Sequence, residues 1–432
     1  MGNCRAGKWA IFLLSLILCL ISFPGWGRAD SLTLEEAIRV ALANNRDILL
    51  VKEKIEEARE RIKEAKAGYL PAINLSGSYT RLSEAPSMSV PDYGSIEMGK
   101  ADNYMSKVSL TQVLYSSGSL KYANKAAGLY YQKSEEDLRN VQNRITFQVK
   151  KVFYAVLLAQ ENVEVTEAAL DQSERHLAVV EGFFKVGVVS KFDLLRTRVE
   201  VANLKPDLIQ ARNDLRLSQE SLANLLSLPS ASLNLEGGLS FEPVRITLEE
   251  TIDKALKERS DLKSLKLQKE MLEVALQLAE VQNKPTLVLL GNYQYQSPSG
   301  GENEWGEEWN FNLVLSIPIF DGWANRARVA QRRSQVKQID LSLRGLEAGI
   351  DLEIKKAFWD VEASEERIYA QEKNIEQAEE ALSIAEVRYK SGAITNLEVL
   401  DAQLALTRVR LGYLKALYDH NVAMAELEKA MK

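Results

Sequence analysis

The sequence predicts a mainly α chain with a small β part. Duplicated long antiparallel coiled-coil hairpins are joined to four membrane β-strands per chain, which contribute to a barrel shared between copies. Three observations carry this prediction: an internal duplication, apolar residues spaced by threes and fours over many helical turns, and four segments of strict alternation.

The duplication is read from matched motifs in one order. Leu32-Thr33-Leu34-Glu35-Glu36 recurs as Ile246-Thr247-Leu248-Glu249-Glu250, and Pro71 recurs as Pro285. Lys151-Val152-Phe153-Tyr154 recurs as Lys356-Ala357-Phe358-Trp359, and Phe184-Lys185-Val186-Gly187 as Tyr389-Lys390-Ser391-Gly392. The second copy loses residues between Pro285 and Phe320, which shortens one loop. Each copy reads as helix, two strands, then two long helices. The first copy spans residues 30–243 and the second 244–432, joined near Pro229 to Pro243 around Gly237-Gly238.

The long helices carry a coiled-coil seam. In the first copy it runs Ile145, Val149, Val152, Val156, Ala159, Val163, Thr166, Leu170, Ser173, Leu177, Val180, Phe184 without a slip. In the second it runs from Ala357 through Val361, Ile368, Ile375 and Leu382 to Tyr389. Alternating steps of three and four keep one stripe facing a partner helix. Leu346, Ile350 and Ile354 step by four twice, a stutter that locally straightens the coil. Gly187 and Gly392 end these helices in tight turns, after which a second helix returns. From Asn325 to Tyr389 the helix would be ~100 Å long, beyond any globular domain. Pro206 falls inside a return helix and is expected to kink it.

The strands are expected at about 72–81, 104–115, 286–296 and 309–319. Ile73, Leu75 and Tyr79 oppose Asn74, Ser76, Ser78 and Thr80; Val108, Leu110 and Leu114 oppose Lys107, Ser109 and Thr111. Leu287, Leu289, Tyr293 and Tyr295 oppose Thr286, Asn292, Gln294 and Gln296, with Val288 and Leu290 blurring the polar face. Trp309 to Ile319 repeats the pattern against Asn310, Asn312 and Ser316. Each is close to the ~10 residues of a membrane-spanning strand. Tyr79, Tyr104, Tyr295 and Trp309 fall where an aromatic girdle belongs, beside polar linkers 82–103 and 297–308 suited to extracellular loops. Four strands cannot close a barrel alone, and an open edge in lipid leaves backbone groups unpaired. Two copies give eight strands and three give twelve; the physics of the sequence does not choose.

Residues 1–29 read as a secretory signal. Arg5 and Lys8 precede an apolar run from Trp9 to Phe23, and Gly27 and Ala29 supply small residues for a cut after Ala29. Cys4 and Cys19 both lie in this segment, so the mature chain is expected to hold no disulfide. Leu18 before Cys19 argues against lipidation.

The residues resemble the TolC-type outer-membrane efflux protein family over the whole mature chain. Pro71-Ala72-Ile73 leading to Gly77-Ser78-Tyr79 looks like the family's entry into a strand, and Pro318-Ile319-Phe320-Asp321-Gly322 like its exit into a helix. Arg388-Tyr389-Lys390-Ser391-Gly392, followed by Leu397-Glu398-Val399-Leu400-Asp401-Ala402, resembles its tip signature. The resemblance implies a homotrimer with twelve strands in the outer membrane of a Gram-negative bacterium and a long periplasmic α-barrel. It implies an exit duct fed by a periplasmic adaptor (membrane fusion) protein and an inner-membrane pump of the RND or ABC type.

Glu398 and Asp401 share one face of a helix just past Gly392, and a trimer would gather up to six such carboxylates around its axis. The resemblance implies that they form the periplasmic constriction, and that Asp193 and Tyr389 pair to hold the closed state. The bland alternative is that acids near a helix N-terminus only complement its dipole. An arginine that often shares the family's latch is replaced by Ile394 here, so a weaker latch is expected unless a residue such as Arg196 substitutes. The tips, Val186-Gly187-Val188 and Gly392-Ala393-Ile394, expose small apolar residues suited to docking an adaptor hairpin.

Other classes find little support. A net charge of -6 offers no basic face for nucleic acid. His176 and His420 read as tolerated helical residues, and no zinc spacing, phosphate loop or nucleophile elbow is present, so no catalytic residue, metal ligand or cofactor is expected. The competing class is a periplasmic coiled-coil scaffold or adaptor without a membrane channel.

Overall fold

The computed structural model describes residues 32–91, 94–97, 99–228, 235–243, 245–299 and 304–432. The expected signal segment and Pro229 lie outside the described residues.

Each copy starts with a capped helix pair. Helices α1 (Leu34–Asn44) and α5 (Leu248–Glu258) open with the same capping box, Thr33 with Glu36 and Thr247 with Glu250. Each box satisfies two backbone donors that a helix start leaves free. The sequence suggested a single helix in each place, but the chain breaks at Asn45 and at Arg259 before α2 (Arg46–Ala67) and α6 (Ser260–Val281). Asn45 caps α2 through Asp47 N and donates to the Leu225 carbonyl at 3.1 Å. Arg259 binds Asp261 at 2.7 Å and Glu353 at 2.6 Å. Both breaks are held by tertiary partners far along the chain, which a local reading cannot see.

Strands β1 (Ala72–Arg81) and β5 (Thr286–Ser297) start directly after Pro71 and Pro285, and β4 (Asp102–Tyr115) and β6 (Gly306–Ser316) return beside them. They form one antiparallel sheet in the order β1-β4-β5-β6. The fourth strand begins at Gly306 and stops at Ser316, earlier than the alternation suggested. Ser316 pairs with Thr286, the first residue of β5, so residues 317–319 have no partner, and Pro318 has no N–H to donate. A small hairpin of β2 (Ser87–Val90) and β3 (Gly94–Glu97) lies in the linker expected to be plain loop.

The register sorts the side chains into two faces. Leu75 lies opposite Val108, Val108 opposite Tyr293, and Tyr293 opposite Trp309. The next row on that face is Ile73, Leu110, Gly291 and Phe311. Gly291 is required there: a Cβ would stand 2.7 Å from the Phe311 ring. The other face carries Ser76, Lys107, Gln294 and Glu308, then Asn74, Ser109, Asn292 and Asn310. At one end Tyr79, Tyr104, Trp305 and Tyr295 stack in sequence, with ring centroids 5.0, 5.9 and 5.0 Å apart. Trp305 completes this girdle. Trp309, expected in it, sits further along the strand beside Phe311.

Two residues with positive φ turn the chain from sheet to long helix in each copy, Ser117-Gly118 and Gly322-Trp323. Helices α3 (Ser119–Lys185) and α7 (Ala324–Lys390) are each 67 residues long, ~100 Å at 1.5 Å per residue. Their returns are α4 (Lys191–Leu226), which continues through Pro206 as one helix, and α8 (Asn396–Ala430). Nearest the sheet, α2, α3, α6 and α7 pack side by side in that order as a single layer. Further away, α3 packs on α4 and α8, and α7 on α8.

Burial follows the seams. Ile145, Val149, Phe153 and Val156 pack against Ala37 and Ala41 of α1 and Leu222 and Leu226 of α4. Ile350, Ile354, Ala357 and Val361 pack against Ala255, Leu262, Ala423 and Leu427. The stutter residues thus face α5, α6 and α8 together. Among the described residues no helix is long and apolar enough to cross a membrane.

Candidate functional site at the helix tips

Both hairpins turn at the end far from the sheet. Gly187 and Gly392 adopt φ of 78° and 72°, a conformation that glycine takes without steric cost. Val186 and Val188 are exposed beside the first turn; Ala393 is exposed beside the second, while Ile394 packs against Val180, Leu194 and Tyr389. Val180, Leu194, Ala385 and Val399, one from each of the four helices, make the apolar floor of the tips. A cavity of about 530 Å³ opens between the turns, lined by Phe183, Val188, Asp193, Tyr389 and Asn396 among others.

The two acids at the starts of the return helices have a local task. Glu398 accepts from Thr395 N and from Thr395 Oγ1, both at 2.8 Å. Those bonds hold its carboxyl below the usual carboxylate range. Asp193 occupies the matching place in the first copy and accepts from Ser190 Oγ at 2.6 Å. Asp401, one turn beyond Glu398, is exposed. Glu398 and Asp193 are therefore both engaged at the first turn of a return helix, as the helix-start alternative expects.

Tyr389 is buried at 6% exposure against the rings of His176 and Phe183, at centroid distances of 5.2 and 5.8 Å. Burial, and then the charge of Asp193, push its hydroxyl up from the ordinary phenol range. That hydroxyl has no hydrogen-bond partner among the described residues, and Asp193 spends its carboxylate on Ser190. The expected Asp193–Tyr389 pair is therefore neighbouring but not hydrogen-bonded in this arrangement.

Sequence reading missed a polar cluster beside it. His176 Nε2 lies 2.7 Å from Asn396 Oδ1, and Asn396 Nδ2 donates to Thr197 Oγ1 at 3.0 Å. Thr197 Oγ1 in turn donates to the Asp193 carbonyl at 2.9 Å. All three side chains are buried, and they join α3, α4 and α8. His176 is thus a helical residue as expected, and beyond that expectation it is a hydrogen-bonded core residue. Burial lowers its pKa, so the neutral ring donates through Nε2. Gln172 Nε2 adds a bond to Glu386 at 3.2 Å between α3 and α7. The available signal was position: His176 lies three residues after the seam residue Ser173 and directly before Leu177, so it flanks the coiled-coil stripe. His420 is likewise bonded in the core, its Nδ1 3.0 Å from Ser364 Oγ.

The model of a family described as outer membrane efflux protein matches residues 37–227 and 251–431. The chain belongs to that family. It is 24% identical over 410 residues to the outer membrane protein TolC of Vibrio cholerae, covering 92% of this chain and 90% of that one. It is 26% identical over 411 residues to the probable outer membrane lipoprotein SilC of Salmonella typhimurium, covering 90% and 84%. The fold matches the crystal structure of the Campylobacter jejuni CmeC outer membrane channel with a TM-score of 0.79 at 18% identity, covering 94% of this chain and 87% of that one. The chain is an outer-membrane channel of the exit-duct kind, with its long helices in the periplasm, and its family is one of channels rather than enzymes.

Proposed function

We propose that three copies of this chain close one twelve-stranded barrel and form a passive exit duct for an efflux pump or a type I secretion system. The observation that carries this reading is the sheet itself. The rows Leu75, Val108, Tyr293, Trp309 and Ile73, Leu110, Gly291, Phe311 make an apolar band across one face, the rows from Ser76 and Asn74 are polar on the other, and among the described residues β1 and β6 each have a neighbour on one side only. In lipid such edges must be paired. A second feature supports sharing: Leu341, Leu352 and Trp359 lie on one stripe of α7, 67%, 67% and 55% exposed, on the side away from α6. In a ring of protomers this stripe meets the α2 edge of the next copy. Cysteines placed along β1 and β6 should crosslink into covalent trimers; crosslinks that never exceed the monomer would overturn the shared barrel.

In this reading Glu398 and Asp401 from three copies make the periplasmic constriction, and Asp193 and Tyr389 contribute to its closed state. The tips, Val186 to Val188 and Gly392 to Ile394, receive a periplasmic adaptor that connects to an inner-membrane pump. The chain itself performs no chemistry and needs no cofactor. Crosslinkable cysteines in place of Val188 or Ala393 test the docking: they should capture an adaptor in cells, and consistent absence of capture counts against it.

A further inference from the structure

The wall of helices next to the sheet has two faces, and the short helices tell them apart. Helix α5 and the Arg259 junction pack on one face only, through Ala255 and the Arg259–Glu353 ion pair. A duct must keep its lumen open, so this is the outer face. Arg328 precedes Glu353 on α7 by about seven helical turns, and Ala279 follows Asp261 on α6 by about five, which puts them on that same outer face.

There α6 and α7 leave a groove of about 450 Å³, lined by Ala275, Leu278, Ala279, Gln282, Arg328, Gln331 and Arg332. No carboxylate lines it. Neither arginine makes an ion pair with a described residue; Arg332 donates only to Gln335, at 2.8 Å. The nearby Glu280 is turned to the other flank, where it meets Arg333 at 3.4 Å. The groove lies at the membrane boundary. Gln282 is just short of Thr286, where β5 and its apolar row begin, and Arg328 sits in the first turns of α7. The arginines are not needed to build the wall. The matching positions of the first copy, aligned through Lys151 and Lys356, are Ala123, Ala126 and Ala127.

We propose that this groove binds the phosphate headgroup of an anionic phospholipid of the periplasmic leaflet, with the lipid's apolar part against Ala275, Leu278 and Ala279. Two uncompensated guanidinium groups match a phosphodiester, and the apolar α6 wall continues toward the lipid-facing side of the sheet. The ligand is a lipid and not a free anion, because Ala275, Leu278 and Ala279 give the groove an apolar wall beside its arginines.

The test uses the full-length assembly extracted in detergent, with retained lipid counted by native mass spectrometry after exchange into phosphatidylglycerol or phosphatidylcholine. Phosphatidylglycerol should be retained roughly 30-fold more strongly than phosphatidylcholine, given two basic contacts at the membrane surface. The double variant Arg328→Gln, Arg332→Gln should lose that preference, and Arg326→Gln should keep it. Ala279→Trp fills the groove with both arginines in place and should also abolish retention, which covers the case of a poorly assembled double variant. Equal retention of the two lipids, unchanged retention in Ala279→Trp, or displacement by millimolar inorganic phosphate alone would overturn the proposal.

Discussion

Replacing Asn396 with alanine should open the tips. Its amide joins the two hairpins, accepting from His176 on α3 and donating to Thr197 on α4 while standing at the start of α8. Alanine leaves the buried His176 N–H without an acceptor, about 1–3 kcal/mol, and removes the bond to Thr197, about 0.5–1.5 kcal/mol. A loss of about 2–4 kcal/mol shifts an equilibrium between closed and open tips by roughly 30- to 1000-fold, at 1.4 kcal/mol per tenfold. The assay is single-channel conductance in planar bilayers. Wild type should show a small resting conductance, and Asn396→Ala a larger one with frequent openings. Asn396→Asp keeps an acceptor for His176 and should recover part of the closure. An Asn396→Ala channel with wild-type conductance would refute the idea that this cluster ties the hairpins together.

Glu398→Gln keeps the capping geometry and removes a charge, so cation selectivity should fall in bilayer recordings while melting temperature stays put; Glu398→Ala should lower both. His176 and His420 have pKa values lowered by burial, so their folded forms stay neutral where the unfolded chain takes up protons. Their contribution is complete above the unfolded value near 6.5 and is lost as pH falls below it, which thermal melts between pH 7.5 and 5 should register as a falling midpoint. Arg259→Met strands Asp261 and Glu353 in a half-buried site and should cost about 3 kcal/mol, measured by chemical denaturation. Leu341→Glu, on the exposed stripe of α7, should leave the protomer's helicity intact by circular dichroism and prevent assembly in size-exclusion chromatography.

Most of the architecture was legible because it rests on periodicity. The 3-4 seam from Ile145 to Phe184 requires a partner helix wherever it occurs, and the alternation after Pro71 and Pro285 fixes which side chains share a face. Elements held by distant partners were not legible. The breaks at Asn45 and Arg259 depend on Leu225, Glu353 and the α8 end, and the end of β6 depends on where β5 starts. At the tips, the sequence located Glu398, Asp401, Asp193 and Tyr389 through family likeness and the turns through glycine. It did not distinguish a carboxylate facing a lumen from one capping a helix, because both need an acid in the first turn. It missed the His176–Asn396–Thr197 cluster because its members are 220 and 199 residues apart in pairs and meet only when the hairpins pack.

The unpaired edges of β1 and β6 require that the barrel be completed between copies. The native mass of the protein extracted in detergent from an outer-membrane fraction tests it most directly. A stable assembly of three protomers is the expected result, whereas a soluble monomer or dimer released without detergent would rule out a shared barrel and favour a periplasmic helical scaffold.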